Sequence, residues 1–224
     1  MKRASVVWPV IGLSAVAWYA TSGMAQESSD PRRAGTRRLL QRSEEIALAR
    51  SAAPANIADS ASIYVFTESG FVLAERGTNG AACYVSRSWP SSIEPHCFDA
   101  EGAASIMRIH MREVELLHRG LTPKDAELEI APDILSGKLR LPARPAISWM
   151  FSAEQKLISD SGQPAGHWRP HIMIYYPYLP PMPGADGAPH FLAGMVSGAG
   201  TAQSSFIIPV TEFVQVKARA PAPR

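Results

Sequence analysis

Two cysteines, Cys83 and Cys97, constrain this chain of 224 residues more than any other feature, because they are its only cysteines and lie close together. They stand within the segment Gly80 to Gly102, whose neighbours on both sides have ordinary strand and helix patterns. In an oxidising compartment two such thiols form a disulfide, and closing a loop of this length stabilises a fold by about 3 kcal/mol. We therefore predict one Cys83–Cys97 bond that closes a loop between a strand and a helix. The segment between the cysteines is then expected to be structural scaffold and not to carry catalytic groups.

The N-terminus has the pattern of a secretory signal peptide. Lys2 and Arg3 precede an apolar run from Val6 to Ala20, and small residues then end at Ala25. We predict that residues 1–25 are removed and that the product is periplasmic or secreted. An uncleaved anchor helix is the alternative, but the run of about 15 residues is shorter than the roughly 20 that a membrane span needs. No membrane span is expected after cleavage.

The charge balance of the chain does not select a partner. Removal of Lys2 and Arg3 lowers the basic residues from 22 to 20, which equals the 20 acidic residues. A local excess remains in the leader, residues 26–42, and could favour anionic lipid, surface polymer or nucleic acid. It consists of Arg32, Arg33, Arg37, Arg38 and Arg42. Because the leader has almost no aromatic interleaving and contains Pro31 and Gly35, we expect it to be solvated and flexible, without nucleic-acid binding.

Residues 43–214 have the pattern of a single α+β domain. A short helix over Ser43 to Arg50 comes first, and three closely spaced strands then follow, joined by glycine and asparagine turns that are typical of an antiparallel meander. Two or three more strands come late in the chain. The predicted strands are Ser62–Thr67, Phe71–Glu75, Ala81–Arg87, Ala146–Phe151, His171–Tyr176 and Ser205–Val210. Residues 215–224 are expected to be a disordered tail.

The sequence in the centre of the chain predicts the helices that cover the sheet. Ser88–Cys97 is a loop by composition, and a helix from about Ala103 to Arg119 has a broad apolar arc that should face the sheet. Thr122 is suited to cap the next helix, which Pro132 should break or kink before a further turn to Gly137. The predicted fold is therefore an antiparallel sheet covered by two or three helices, with one disulfide that ties sheet to helix.

The densest histidine segment is the candidate for a metal or hydrolase site. His167 and His171 lie in it, and Asp99 or Glu101 could supply a carboxylate oxygen. On a helix this spacing would bring both rings to one side, but Pro170 precedes a predicted strand and rules that out. A His171 that begins a strand and forms a local hydrogen bond is the simpler interpretation, and no cofactor is predicted.

Two other patterns have simpler structural interpretations than chemical ones. His110 and Glu113 lie three residues apart near the apolar arc of their helix, where they could form a buried acid–base pair. A core histidine satisfied by its neighbour is the favoured interpretation. The glycine-rich segment 194–200 matches neither a nucleophile elbow nor a dinucleotide-binding loop, which leaves a flexible loop.

A string of aromatic residues could line a groove for an apolar ligand or a glycan. It consists of Trp149, Phe151, Trp168, Tyr175, Tyr176 and Tyr178. Most of these rings are expected in the core or over the sheet edge. The candidate ligand-binding residues are Trp168, His171, Tyr176 and Tyr178, beside a proline-rich loop over Pro177 to Pro189.

Several short segments, which together span most of the predicted mature chain, have a familiar order. They are Glu44–Pro54, Asn79–Gly80 with Cys83, Arg87–Trp89, Pro95–Phe98, and Gly166–Trp168 with Pro170, His171 and Met173. In this order they resemble a family of exported bacterial proteins of unknown function. The resemblance implies a single secreted domain and no particular activity. Members of that family often have histidine at the position of Arg169 and an apolar residue at that of His110, which argues against a metal site and a catalytic pair there.

These observations favour an exported, non-enzymatic binding or interaction domain with an unknown ligand or protein partner. The alternative is a metal-dependent or other hydrolase centred on His167 and His171, with Asp99 or Glu101.

Overall fold

The computed structural model describes residues 36–158, 164–166, 169–181 and 195–216. The predicted signal peptide, most of the leader and most of the tail lie outside the described residues. So do His167 and Trp168.

An eight-stranded sheet occupies the centre of the described chain. Its strands are β1 Ser62–Thr67, β2 Gly70–Glu75, β3 Ala82–Ser86, β4 Glu94–Phe98, β5 Ala146–Met150, β8 His171–Tyr175, β9 Met195–Ser197 and β10 Ser205–Pro209. They follow the order β2-β1-β3-β4-β5-β8-β10-β9 across the sheet, and β6 Leu157–Ile158 pairs with β7 Pro164–Gly166 in a separate two-stranded sheet. All neighbours in the main sheet are antiparallel except β1 and β3. The predicted α+β class is confirmed.

The third strand does not continue an antiparallel meander, and that part of the prediction is wrong. After β2 the chain returns to the start of β1, where Gly77 N donates to Ser62 Oγ at 3.0 Å and Thr78 N donates to Ser60 O at 2.8 Å. From there β3 runs beside β1 in the same direction, with Ile63 opposite Cys83. The glycines and asparagine of this connection are compatible with a tight turn and with a crossover, so composition alone did not separate the two.

The Cys83–Cys97 disulfide is present, but it joins two neighbouring strands. Cys83 of β3 lies directly opposite Cys97 of β4 in an antiparallel pair, so the bond ties strand to strand and not sheet to helix. The predicted loop over Ser88–Cys97 is therefore wrong in its second half. Pro95 lies opposite Val85 of β3, and on its other side the described ladder between β4 and β5 covers only Cys97 and Phe98, which leaves that side of Pro95 without a ladder bond to lose.

Within the described ranges five helices cover the sheet: α1 Arg42–Arg50, α2 Ala55–Ala58, α3 Ala100–Ala104, α4 Ile106–His118 and α5 Pro123–Leu135. The predicted single helix from about Ala103 is interrupted at Ser105, whose φ and ψ are −129° and −94° and whose hydroxyl donates to the carbonyl of Glu101. Thr122 caps α5 as predicted, since its hydroxyl accepts from Asp125 N at 3.2 Å.

Of the predicted break or kink at Pro132, the break does not occur, because α5 continues through Pro132 to Leu135. Proline removes one backbone donor from a helix, and only three residues of α5 follow it. The helix ends instead where Ser136 N donates back to the carbonyl of Pro132 and Gly137 takes a φ of +76°. A glycine in this left-handed conformation is a common helix stop.

The two faces of the sheet have different covers. Helices α1 and α2 pack their alanines and Leu48 against the face that contains Cys83 and Cys97. On the opposite face α3, α4 and α5 pack against Tyr84 and Phe98. Because successive residues of a strand point to opposite faces, Cys97 lies on the α1 side and His96 on the α4 side.

The described part of the leader, residues 36–42, is packed against the domain and differs from the flexible segment that the sequence predicts. Arg37 is buried, and its guanidinium donates to the carbonyls of Arg87 at 3.1 Å and Ser88 at 3.2 Å. Arg87 in turn pairs with the buried carboxylate of Glu45 at 2.9 Å. An arginine is held here because these carbonyls follow the end of β3 and accept its donors. Across the described ranges, no helix combines the length and the hydropathy of a membrane crossing.

Candidate functional site

A cavity of about 1030 Å³ lies between the main sheet and helices α4 and α5. Residues from β3, β4, β5, β8, β9 and β10 line one side, and α4 and α5 line the other. The wall contributed by α4 consists of His110, Glu113, Val114 and Leu117, which recur at the spacing of one helix face. The strand wall follows the period of two: Glu94 and His96 alternate on β4, and His171, Met173 and Tyr175 alternate on β8.

Apolar side chains form much of the wall, particularly along α5. They include Val114, Leu117, Ile130, Ile134, Met150 and Ile207. A lining that joins such side chains to a small number of polar groups is typical of small-molecule sites.

Three histidines belong to the polar part of the wall, and His96 and His110 lie close together, with ring centroids 6.0 Å apart. His96 is buried, and its Nε2 lies 2.8 Å from Ser148 Oγ. Burial lowers the pKa of His96 well below its usual value, and the neighbouring His110 and His171 lower it further. Because a charged imidazole is poorly solvated here, His96 is neutral at pH 7.

His110 and His171 are neutral for the same reason. Burial lowers the pKa of His110 to about 4, although a hydrogen bond to Gln203 opposes the shift. Burial also lowers the pKa of His171, against the effect of the Arg169 carbonyl, which lies 2.7 Å from His171 Nδ1. The cavity therefore presents imidazoles that form hydrogen bonds without positive charge.

Two hydroxyls at this face have no well-aligned hydrogen bond among the described residues. Ser205 Oγ is one of them, and Ser205 lines the cavity while being only 1 % exposed. Tyr84 Oη is the other; burial raises the pKa of Tyr84 well above its usual value, which the Ser86 hydroxyl opposes. Glu94 differs from both, because its carboxylate accepts from Ser88 N, Ser88 Oγ and Ser92 Oγ at 2.8, 2.8 and 2.6 Å.

The structure brings only part of the predicted ligand-binding set to this cavity. His171 lies on its wall, and Tyr178 lines it with a side chain that remains 62 % exposed. Tyr176 is 52 % exposed and is not part of the wall, because it follows Tyr175 on the alternating strand pattern. Trp168, the fourth predicted residue, lies outside the described residues.

The carboxylates of the predicted metal set have other contacts. Asp99 Oδ1 accepts from Gly102 N at 2.7 Å and so caps α3. Glu101 pairs with Arg140 at 2.7 Å, and this contact is the main cause that lowers the pKa of Glu101. No group of three histidine, cysteine, aspartate or glutamate side chains suited to a metal ion occurs within the described ranges. His167 lies outside those ranges, so the hydrolase hypothesis stays a prediction.

Sequence reasoning missed the contribution of the segment between the cysteines. Ser86, Ser88, Glu94 and His96 all line the cavity, so this segment is more than scaffold. The alternation of Glu94, His96 and Phe98 was the available signal, since it matches a strand with one face on the helical side. The proline between these residues made a loop the more natural prediction.

The contact between His96 and Ser148 has the composition of a base and a nucleophile, but not the position of one. Ser148 is fully buried and does not line the cavity. A hydrogen bond to Ser148 also lowers the pKa of Tyr175 against the larger, raising effect of burial, so the serine connects two wall residues from behind. This arrangement orients the His96 and Tyr175 rings on the cavity wall.

Comparison with protein-family models, with curated proteins and with solved structures finds no match to this chain. The geometry of the cavity is therefore the basis on which we infer the function.

Proposed function

We propose that this protein is an exported binding protein, without enzymatic activity, that holds a small amphipathic molecule in the cavity between the sheet and helices α4 and α5. The single observation behind this proposal is the composition of the wall, where aliphatic side chains of α4 and α5 face the same space as the neutral imidazoles of His96 and His110. The volume of about 1030 Å³ is at the upper end of the usual range for small-molecule sites.

Export is part of the same proposal. The disulfide supports it, since such bonds form and persist in oxidising compartments, and so does the charged and then apolar N-terminus. The resemblance to exported bacterial proteins is consistent with both. N-terminal sequencing of the protein recovered from its producing cells tests export: we expect a chain that begins at Gln26, whereas one that begins at Met1 would contradict it.

Binding is tested with the neutral fluorophore N-phenyl-1-naphthylamine, whose emission rises in apolar surroundings. Saturable binding to the full chain is expected. Ala131 lines the cavity, so Ala131→Trp should fill part of it and weaken probe binding at least tenfold. Leu128 lies on the same helix, is 63 % exposed and does not line the cavity, which makes Leu128→Trp the matched control. Absence of saturable binding, or equal loss in both variants, refutes the proposed site.

A further inference from the structure

We infer that the polar group of the bound molecule is uncharged or cationic, and that the cavity excludes anionic amphiphiles. This inference rests on the proposed function, and it adds the chemical class of the ligand. It depends on three observations: the charges on the wall, the unpartnered hydroxyl of Ser205 and the conformation of Tyr178.

The charged side chains that line the cavity are mainly acidic. Glu94, Glu113 and Glu127 are carboxylates, and Lys124 is the one lysine or arginine among the described wall residues. The whole chain has a formal charge of +2, so this acidic bias belongs to the cavity and not to the protein at large. Glu127 is exposed, but Glu94 is buried and Glu113 is half-buried, so these two would repel a ligand carboxylate more strongly than charges in open water do.

The histidines do not compensate this bias. In many anion sites an imidazolium supplies positive charge, but here burial keeps His96 and His110 neutral at pH 7. Both rings can still donate or accept a hydrogen bond, which suits a hydroxyl, an amide or an amine.

Ser205 is the observation that points to a ligand directly. Its hydroxyl is buried on the cavity face of β10, opposite Tyr175 of β8 and Ser197 of β9, which also line the cavity. Among the described residues it has no hydrogen-bond partner, although burial of an unpaired hydroxyl is costly. A polar group of the ligand would satisfy it, and the carboxylates on the wall favour a neutral or cationic group over an anion.

Tyr178 places an aromatic ring at the rim in an uncommon conformation. It is the only non-glycine residue with positive φ in the described chain, at +61°, and its N–H donates to the carbonyl of Thr201 at 2.8 Å. Such backbone conformations cluster at ligand sites because the surrounding structure must hold them. The exposed face of a tyrosine ring attracts cations, which agrees with the acidic wall.

Three compounds with the same chain and different polar groups test the inference: 1-octanol, octylamine and octanoate. Each displaces N-phenyl-1-naphthylamine from the full chain at pH 7.5, where octanoate is anionic and octylamine cationic. We expect the affinity of octanoate, measured by this displacement, to be at least fivefold lower than the affinity of either other compound. A smaller difference, or tighter binding of octanoate, overturns the inference. The proposed function fails separately, through absence of probe binding.

A matched pair of variants tests whether a carboxylate on the cavity wall causes the weaker binding of octanoate. Glu113→Gln removes a wall carboxylate and should reduce the ratio of the octanol affinity to the octanoate affinity at least twofold. Glu129→Gln makes the same charge change at an exposed position of α5 outside the cavity and should leave the difference unchanged. Equal effects of the two variants would assign the discrimination to overall charge and overturn the inference.

Discussion

Because folding lowers the pKa values of its buried histidines, we expect this protein to lose stability in mild acid. A histidine whose pKa is lowered by folding binds protons more weakly in the native state than in the unfolded state. Its contribution to stability is therefore complete above pH 6.5, the ordinary value, and decreases as the pH falls towards the native pKa. His110, whose native pKa is about 4, is the clearest case. His96 and His171 shift in the same direction and add to the effect.

The size of the effect follows from the pKa of His110. Between pH 7.5 and pH 5 an unfolded histidine with a pKa of 6.5 gains a proton that His110, with a pKa of about 4, does not. This difference corresponds to about 2 kcal/mol of unfolding free energy. Because the ring is partly accessible, we expect about 1–2 kcal/mol from His110 alone.

Urea unfolding followed by circular dichroism, repeated from pH 7.5 to pH 5, measures this loss. The variant His110→Gln should have a flatter pH dependence by about 1–2 kcal/mol over the same range. Glu101→Gln is the control: folding lowers the pKa of Glu101 below 4.5, so its contribution disappears only at more acidic pH. Stability that stays constant or increases towards pH 5, or an unchanged slope in His110→Gln, would refute the reasoning.

Three further predictions test the packing by urea unfolding. Replacing both Cys83 and Cys97 by alanine should lower the unfolding free energy by about 3 kcal/mol, because the bond closes a loop with a sequence separation of 14; a loss under 1 kcal/mol would contradict this. Arg87→Met leaves the buried Glu45 carboxylate without its ion pair and should cost about 3–5 kcal/mol, whereas adding Glu45→Leu should restore part of the loss; a double variant as unstable as the sum of both singles disagrees. Thr122→Ala removes the cap of α5 and should cost about 1 kcal/mol, and no change would argue against the cap.

Local patterns in the sequence were sufficient for most of the secondary structure. The strand at Ser62–Thr67 and the cap at Thr122 depend on neighbouring residues, and the structure reproduces both. The glycine stop after α5 is likewise local. Such signals act within a few residues, so a single sequence contains them.

Long-range pairing was not predictable in the same way. Whether β3 continues a meander or crosses over to β1 depends on the contacts of Gly77 and Thr78 with the start of β1. The strand character of Pro95 depends on the register with β3 and on where the β4–β5 ladder begins. Neither condition is visible in the residues themselves, because composition at Ser88–Cys97 favours a loop.

The candidate site contains residues that the sequence indicates and a residue that only long-range pairing brings there. The sequence indicates His171 through the densest histidine segment and Tyr178 through the aromatic string, and both line the cavity. The sequence does not single out His96, because its importance comes from the fold. Strand β4 places it 6.0 Å from the ring of His110, a residue of α4 that the sequence separates from it by a strand end and a short helix.

Nitrogen-15 NMR of the histidine rings, recorded while 1-octanol is added to the full chain at pH 7.5, tests the central claim most directly. Signals of His96 and His110, assigned through their glutamine variants, should shift together and saturate, because both rings line the cavity. His118 lies against Phe66 outside that wall and should not shift. If neither cavity histidine responds, or if His118 responds equally, the cavity is not the binding site.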